Sequence, residues 1–88
     1  MTDIIEISFT LDERDLIINH TFVDSEITDR LKIAEIKNNK IVVKLDLDEI
    51  DDLAGFVAAE SNHTENKKIQ KKLDRLYDKL SEIEDNYR

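Results

Sequence analysis

The sequence predicts an α+β fold in which a small antiparallel sheet packs against helices, in the order β-α-α-β-β-α-α. Three observations predict it. Residues 4–9 alternate between apolar and polar side chains, as a half-buried strand does. Residues 53–59 carry no charge and continue a helical apolar stripe. A heptad-like apolar seam runs through residues 69–87, which indicates a long amphipathic helix at the C-terminus.

The first strand is expected over residues 4–9, and a helix follows it directly. Thr10 and Glu13 have the spacing of a capping box, in which each side chain accepts a hydrogen bond from the other residue's backbone amide. Downstream, Phe22 is expected to point into the core. Ser25 is the candidate N-cap of a second, short helix.

Residues 32–47 predict a β-hairpin. Two candidate strands, at 33–37 and 40–47, flank Asn38 and Asn39. Asparagine tolerates a positive φ better than other non-glycine residues, so a two-residue turn is expected there. Together with the N-terminal strand, the hairpin would complete a small sheet.

The helix at Leu47–Asn62 is the element around which we expect the core to form. Asp46 or Asp48 is the candidate N-cap, and Asp46 with Glu49 repeats the capping-box spacing. Because no charge interrupts residues 53–59, neighbouring elements are expected to cover this helix on more than one side. Its apolar stripe consists of Ile50, Leu53, Ala54, Val57 and Ala58.

The last helix is expected over residues 65–86, with Thr64 as its candidate cap. Bases are concentrated in residues 67–75 and acids in residues 78–85, so two antiparallel copies would pair opposite charges. The apolar seam packs either within the chain or against a second copy. The candidate interaction residues are Ile69, Leu73, Leu76, Tyr77, Leu80 and Ile83.

Composition indicates one domain over residues 1–88, with an α+β core at 1–63 and the C-terminal helix at 64–88. The chain has no cysteine, which excludes disulfides and thiolate metal sites. Residues 1–63 hold 15 acids and 6 bases, a net charge of −9, and the whole chain has a net charge of −8. Non-specific binding to nucleic acid is therefore not expected. No apolar run is long enough for a membrane span, and we expect a cytoplasmic protein.

Catalytic motifs are missing from the sequence, so we expect no enzyme and no cofactor. A single glycine excludes phosphate-cradling loops, and no serine lies in a nucleophile elbow. Glu60 and His63 form one Glu-x-x-His pair, whereas a di-iron site needs two such pairs and two further glutamates. A metal site is therefore a minor alternative at these two residues. His63 more simply suits the negative end of a helix.

Residues 48–63 and 71–74, together with residues 10–16, carry a resemblance. They resemble a small prokaryotic domain that occurs alone and beside plasmid open-reading-frame-three-like proteins, which are transposon passengers. The resemblance would cover most of the chain, and it implies no activity and no catalytic residues. It does imply that Glu60, Asn62 and His63 form a polar surface worth testing.

The sequence therefore favours a small, acidic, non-enzymatic protein-interaction module that self-associates through its C-terminal helix. One alternative is an accessory or regulatory protein of a mobile element that contacts nucleic acid through the basic segment Lys67–Arg75. Another is a metal-binding protein that uses Glu60 and His63.

Overall fold

The computed structural model describes residues 3–87 and confirms the α+β class, with a two-stranded antiparallel sheet and a long C-terminal helix. The observed order is β-α-α-β-α-α, one strand fewer than the sequence predicted. The elements are β1 (Ile4–Thr10), α1 (Leu11–His20), α2 (Ser25–Ile33), β2 (Lys40–Asp46), α3 (Leu47–His63) and α4 (Lys67–Asn86).

The predicted first strand of the hairpin, 33–37, is wrong. Asn38 and Asn39 do form the expected turn, with φ of 54° and 62°, but only one bridge follows, between Lys37 and Lys40. Helix α2 continues to Ile33 because Ile27 and Leu31 bury one of its faces, and this leaves too few residues for a strand. β2 pairs instead with β1 across the two intervening helices.

Three predictions of local structure also need correction. Asp24, not Ser25, caps α2: its carboxylate accepts a hydrogen bond from the Glu26 backbone amide at 3.1 Å. Asn66, not Thr64, caps α4. Phe22 does not point inward: it is 85% exposed, and its neighbour Val23 is the buried residue. In each case a residue one or two positions from the predicted one takes the predicted role, because capping and burial depend on where the chain turns.

Both predicted capping boxes are confirmed. The Thr10 and Glu13 side chains close the start of α1, and those of Asp46 and Glu49 close the start of α3. Each strand thus runs into its helix without a loop, since the last strand residue is also the N-cap.

A single hydrophobic core unites all six elements. α3 lies within it, with Ile50, Leu53 and Val57 fully buried, as its uncharged centre predicted. α4 is 20 residues long, about 30 Å, and spans a molecule that measures 38 × 29 × 22 Å. The sheet buries one face on the helices: Ile5, Ile7, Phe9, Ile41, Val43 and Leu45.

The chain consists of two β-α-α halves with matching starts. β1, the capping pair and the start of α1 recur in β2 and α3 at a constant offset of 36 residues, as in Thr10 and Asp46 or Glu13 and Glu49. The register agrees with this offset, because Ile7 pairs with Val43, its own counterpart. The two strands are thus related by a local twofold axis at that pair. Identical pairs are Ile5 and Ile41, Leu11 and Leu47, Asp12 and Asp48, Glu13 and Glu49, and Asp15 and Asp51.

Candidate interaction surfaces

The leucines of the predicted seam pack inside the chain. Leu73, Leu76 and Leu80 are buried in the core, and Ile69 and Ile83 are partly buried against it. Of the two arrangements that the sequence left open for the seam, the structure has the intramolecular one.

Tyr77, the sixth candidate interaction residue, differs from the other five. It lies on the flank of α4 and is 40% exposed. It is therefore the one member of the predicted set that presents a large apolar surface to solvent.

Polar contacts hold the C-terminal end of α3 against the first half of α4. The Ser61 hydroxyl, which is buried, donates to the Asp74 carboxylate, and the Gln70 amide donates to the Ser61 carbonyl at 3.2 Å. The sequence analysis missed Ser61 because a lone serine near a helix end carries no local signal of its partner.

The α3–α4 groove is a surface depression of about 410 Å³. Ala54, Gly55 and Ala58 line it from α3, and a Cβ built on Gly55 would meet no atom within 4 Å. Tyr77 and Ser81 line it from α4. Small side chains leave room for another backbone to approach closely, so the groove suits a helix or an aromatic side chain. Acidic residues lie at one end of it: Asp51, Glu84 and Asp85.

Charge is segregated along α4 as the sequence predicted. Within residues 3–87, Lys72 pairs with Asp12 at 3.3 Å and Lys79 with Glu13 at 2.9 Å. No ion pair in the same range of residues involves Lys67 or Asp85, which lie in the first and last turns of the helix. A base in the first turn and an acid in the last turn both oppose the helix dipole. The arrangement is unfavourable for α4 alone.

The basic segment Lys67–Arg75 presents a stripe to solvent. Lys68, Lys71, Lys72 and Arg75 are exposed, and their spacing of three, four and seven places them on one side of α4. This stripe faces away from the leucines, which are buried at positions 73 and 76.

Glu60, Asn62 and His63 lie in the last turn of α3. Asn62 and His63 are exposed and Glu60 is half-buried, so they form a small polar surface beside the link to α4. Within residues 3–87, no three His, Asp or Glu side chains are grouped closely enough to hold a metal ion. A metal site at Glu60 and His63 stays a hypothesis from the sequence.

Each outer edge of the sheet is contacted by a cation from the opposite half. Lys79 of α4 donates to the Ser8 carbonyl of β1 at 2.6 Å and pairs with Glu13. Arg30 of α2 donates to the Lys44 carbonyl of β2 at 3.3 Å and pairs with Glu49 at 2.8 Å. In both ion pairs the basic side chain is 34% exposed and the glutamate 22%.

The equivalence of these two contacts extends the two-halves pattern to α2 and α4.

Hydrogen bonding by Glu49, and then by Glu26, raises the pKa of Arg30 above its usual range. Lys79 lies 5.0 Å from the centre of the Phe9 ring, a cation–π contact. Sequence reasoning missed both cations because their partners are distant in the chain.

No protein-family model, curated protein or solved structure matches this chain. The resemblance to the domain found beside plasmid open-reading-frame-three-like proteins therefore stays a hypothesis. None of the helices within residues 3–87 combines the length and the apolar character that crossing a membrane requires.

Proposed function

We propose that this protein is a non-enzymatic interaction module that self-associates through the outer face of α3 and α4. The observation that carries the proposal is the α3–α4 groove, with its small side chains at Ala54, Gly55 and Ala58 and the exposed ring of Tyr77 beside it. Aromatic residues that fill pockets supply much of the binding energy at protein interfaces. The buried leucines of the seam hold the face rigid and do not themselves form the contact.

Charge supports a second copy as the occupant. The acidic end of the groove lies beside the last turns of α4. The bases of α4 are concentrated in its first half, at the opposite end of the helix. Two copies packed antiparallel would bring each acidic end to a basic end, and so relieve the charges that oppose each helix dipole. The net charge of −8 on each copy works against association, so we expect a weak dimer that salt affects strongly. We place this activity in the cytoplasm as part of the same proposal.

The test is a charge swap measured by sedimentation equilibrium. The wild-type protein is expected to reach twice its monomer mass of 10.3 kDa as concentration rises. Lys67→Glu or Asp85→Lys alone should leave only the monomer, because each puts like charges together across the interface. The double variant should dimerise again. Both changes favour the helix dipole, so loss of the dimer cannot come from a weakened α4.

Lys68→Glu is the matched control for this swap. It makes the same change in net charge, one residue along and about 100° around the helix, and should leave dimerisation unchanged. Tyr77→Ala should weaken the dimer while the fold persists. A monomer at every concentration, or a double variant that stays monomeric, contradicts the proposal.

The exposed stripe of four bases favours a second candidate function, contact with nucleic acid through Lys67–Arg75. Phosphate contacts of this kind weaken steeply with salt. Duplex DNA should then bind at about 100 mM salt with a clear salt dependence, and Lys71→Glu with Arg75→Glu should abolish binding. The acidic character of residues 1–63 makes this the weaker candidate.

A further inference from the structure

The outer edge of β2 has main-chain groups that face away from β1. The Lys40 nitrogen and oxygen bond to Lys37 at 3.0 and 2.9 Å, and the Lys44 oxygen accepts from Arg30. Alternate residues of an antiparallel strand direct their main-chain groups to the same side, so those of Val42 also face outward. Within residues 3–87 no third strand joins the sheet. Among the same residues, the Val42 amide and carbonyl and the Lys44 amide make no main-chain hydrogen bond outside the pairing of β1 with β2, which leaves them available to another strand.

A groove runs along this edge. One part of it, about 480 Å³, is lined by residues that include Ile33, Ala34 and Val42. A second part, about 270 Å³, shares Val42 and continues to Lys37. Ile33 is 83% exposed and Val42 56% exposed. Apolar side chains thus lie beside open backbone groups, the combination that strand-adding partners recognise.

The corresponding edge of β1 shows what the β2 edge lacks. There the groove is about 360 Å³ and is lined by Glu6, Ser8 and Ile83 among others. Lys79 and Arg30 make equivalent contacts, so the residues four positions after them, Ile83 and Ala34, also correspond. In the strands, Glu6 corresponds to Val42 at the offset of 36 residues. The β1 edge thus has the charged side chain of Glu6 and the large side chain of Ile83 in its groove. At the same two places the β2 edge has the apolar side chain of Val42 and only the methyl group of Ala34.

The charge of the groove selects the occupant. Four bases and one acid line it, namely Arg30, Lys37, Lys40, Lys44 and Glu35, whereas the chain as a whole has a net charge of −8. Glu35 pairs with Lys37, and Arg30 pairs with Glu26 and Glu49. Among the described residues, Lys40 and Lys44 take part in no ion pair. A second copy does not fit, because antiparallel pairing about Val42 would place Lys40 of one copy opposite Lys44 of the other, and like charges directly opposite are destabilising.

We infer that the outer edge of β2 binds an extended acidic segment of another protein by strand addition. The segment bonds to the main chain of Val42 and to the Lys44 amide. Its apolar side chains cover Ile33 and Val42, and its carboxylates lie beside Lys40 and Lys44. This surface shares no lining residue with the α3–α4 groove, so the two interactions can be tested separately.

The experiment measures fluorescence anisotropy of a labelled, amidated peptide, Glu-Glu-Ile-Val-Ile-Glu-Glu, titrated with the full chain. A basic peptide with lysine in place of glutamate should bind at least tenfold more weakly. Lys40→Glu with Lys44→Glu should lower the affinity for the acidic peptide at least tenfold and raise it for the basic peptide. Lys68→Glu with Lys71→Glu makes the same change in net charge on α4 and should leave both affinities within twofold.

Val42→Pro tests the backbone contact. Proline removes the outward amide of an edge strand without breaking the ladder to β1, and should lower peptide affinity at least tenfold. Ser8→Pro, at the β1 residue that pairs with Val42 and on the edge contacted by Lys79, is the control and should have no effect. Circular dichroism checks that both variants fold, and Val42→Glu replaces Val42→Pro if the proline variant does not.

Two results would overturn the inference. One is equal binding of the acidic and basic peptides. The other is binding of the oligonucleotide (dT)10 as tightly as the acidic peptide with no effect of the substitution at Val42, which would mean that the groove attracts any polyanion by charge alone.

Discussion

At the scale of single residues, the two capping-box glutamates each serve two structures. Glu13 and Glu49 accept the amide of an N-cap residue and also hold a cation that reaches a strand edge. Helix start, ion pair and sheet edge are thus linked through one carboxylate. Because the pKa of Arg30 is raised, the stability that the ionised Arg30 gives the fold is complete below the usual arginine pKa and is lost only as pH rises above it. The ion pair of Arg30 with Glu49 therefore persists throughout the neutral range.

Replacing Glu49 separates its two roles. Glu49→Gln keeps an oxygen for the Asp46 amide but loses the charge that faces Arg30, and should lower the free energy of unfolding by up to about 1 kcal/mol. Glu49→Ala also leaves the Asp46 amide without its partner, and should cost about 1–3 kcal/mol. Urea unfolding monitored by circular dichroism measures both. Glu13→Gln and Glu13→Ala, at the equivalent position, should give the same order. Equal costs for Gln and Ala at position 49 would contradict the separation.

At the scale of elements, α4 shows that the heptad-like spacing of a coiled coil also suits a helix that packs inside its own chain. The seam of α4 has the spacing of a coiled coil, yet its leucines bury against α3 in the same chain. α3 has small residues on its outer side, at Gly55 and Ala58, and these form the groove instead of filling the core.

Gly55 tests this description of α3. Glycine inside a helix is less favourable than alanine, and a Cβ here meets nothing within 4 Å. Gly55→Ala should therefore raise the free energy of unfolding by about 0.5–1 kcal/mol in urea at dilute protein. Ala54→Gly, at the buried neighbouring position, is the reverse control and should be destabilising. A loss of stability in Gly55→Ala would mean that the groove is closed in solution.

At the scale of the whole molecule, both halves complete one core. β1 and β2 contribute one sheet, and each half's second helix reaches the edge strand of the other half through Lys79 or Arg30. Neither half has a core of its own, so we expect the protein to unfold as one unit. A domain of this size does so in general.

Amide hydrogen exchange measures that cooperativity. Amides at residues 50–58 of α3 should exchange only through global unfolding, as slowly as those of the central strand residues Ile7 and Val43. Residues 34–36, which lie outside the regular elements and before the bridge at Lys37, should exchange fast. Leu76→Ala should lower the free energy of unfolding by about 2–5 kcal/mol. In this variant, amide exchange in α3 and in the two strands should become faster by the same factor. Exchange at residues 50–58 as fast as at the chain ends would contradict a core centred on α3.

Local chemistry in the sequence determined the class of fold and most of its elements. Alternation predicted β1, two capping boxes placed the starts of α1 and α3, and the uncharged centre of α3 predicted its burial, since each signal depends on residues within a few positions of one another. The tertiary structure decided what distant residues do. It paired β2 with β1 instead of with 33–37, placed the leucines of α4 within the chain, and brought Arg30 and Lys79 to the sheet edges. These outcomes depend on which surfaces compete for the same apolar partner, a comparison of free energies that no local pattern contains.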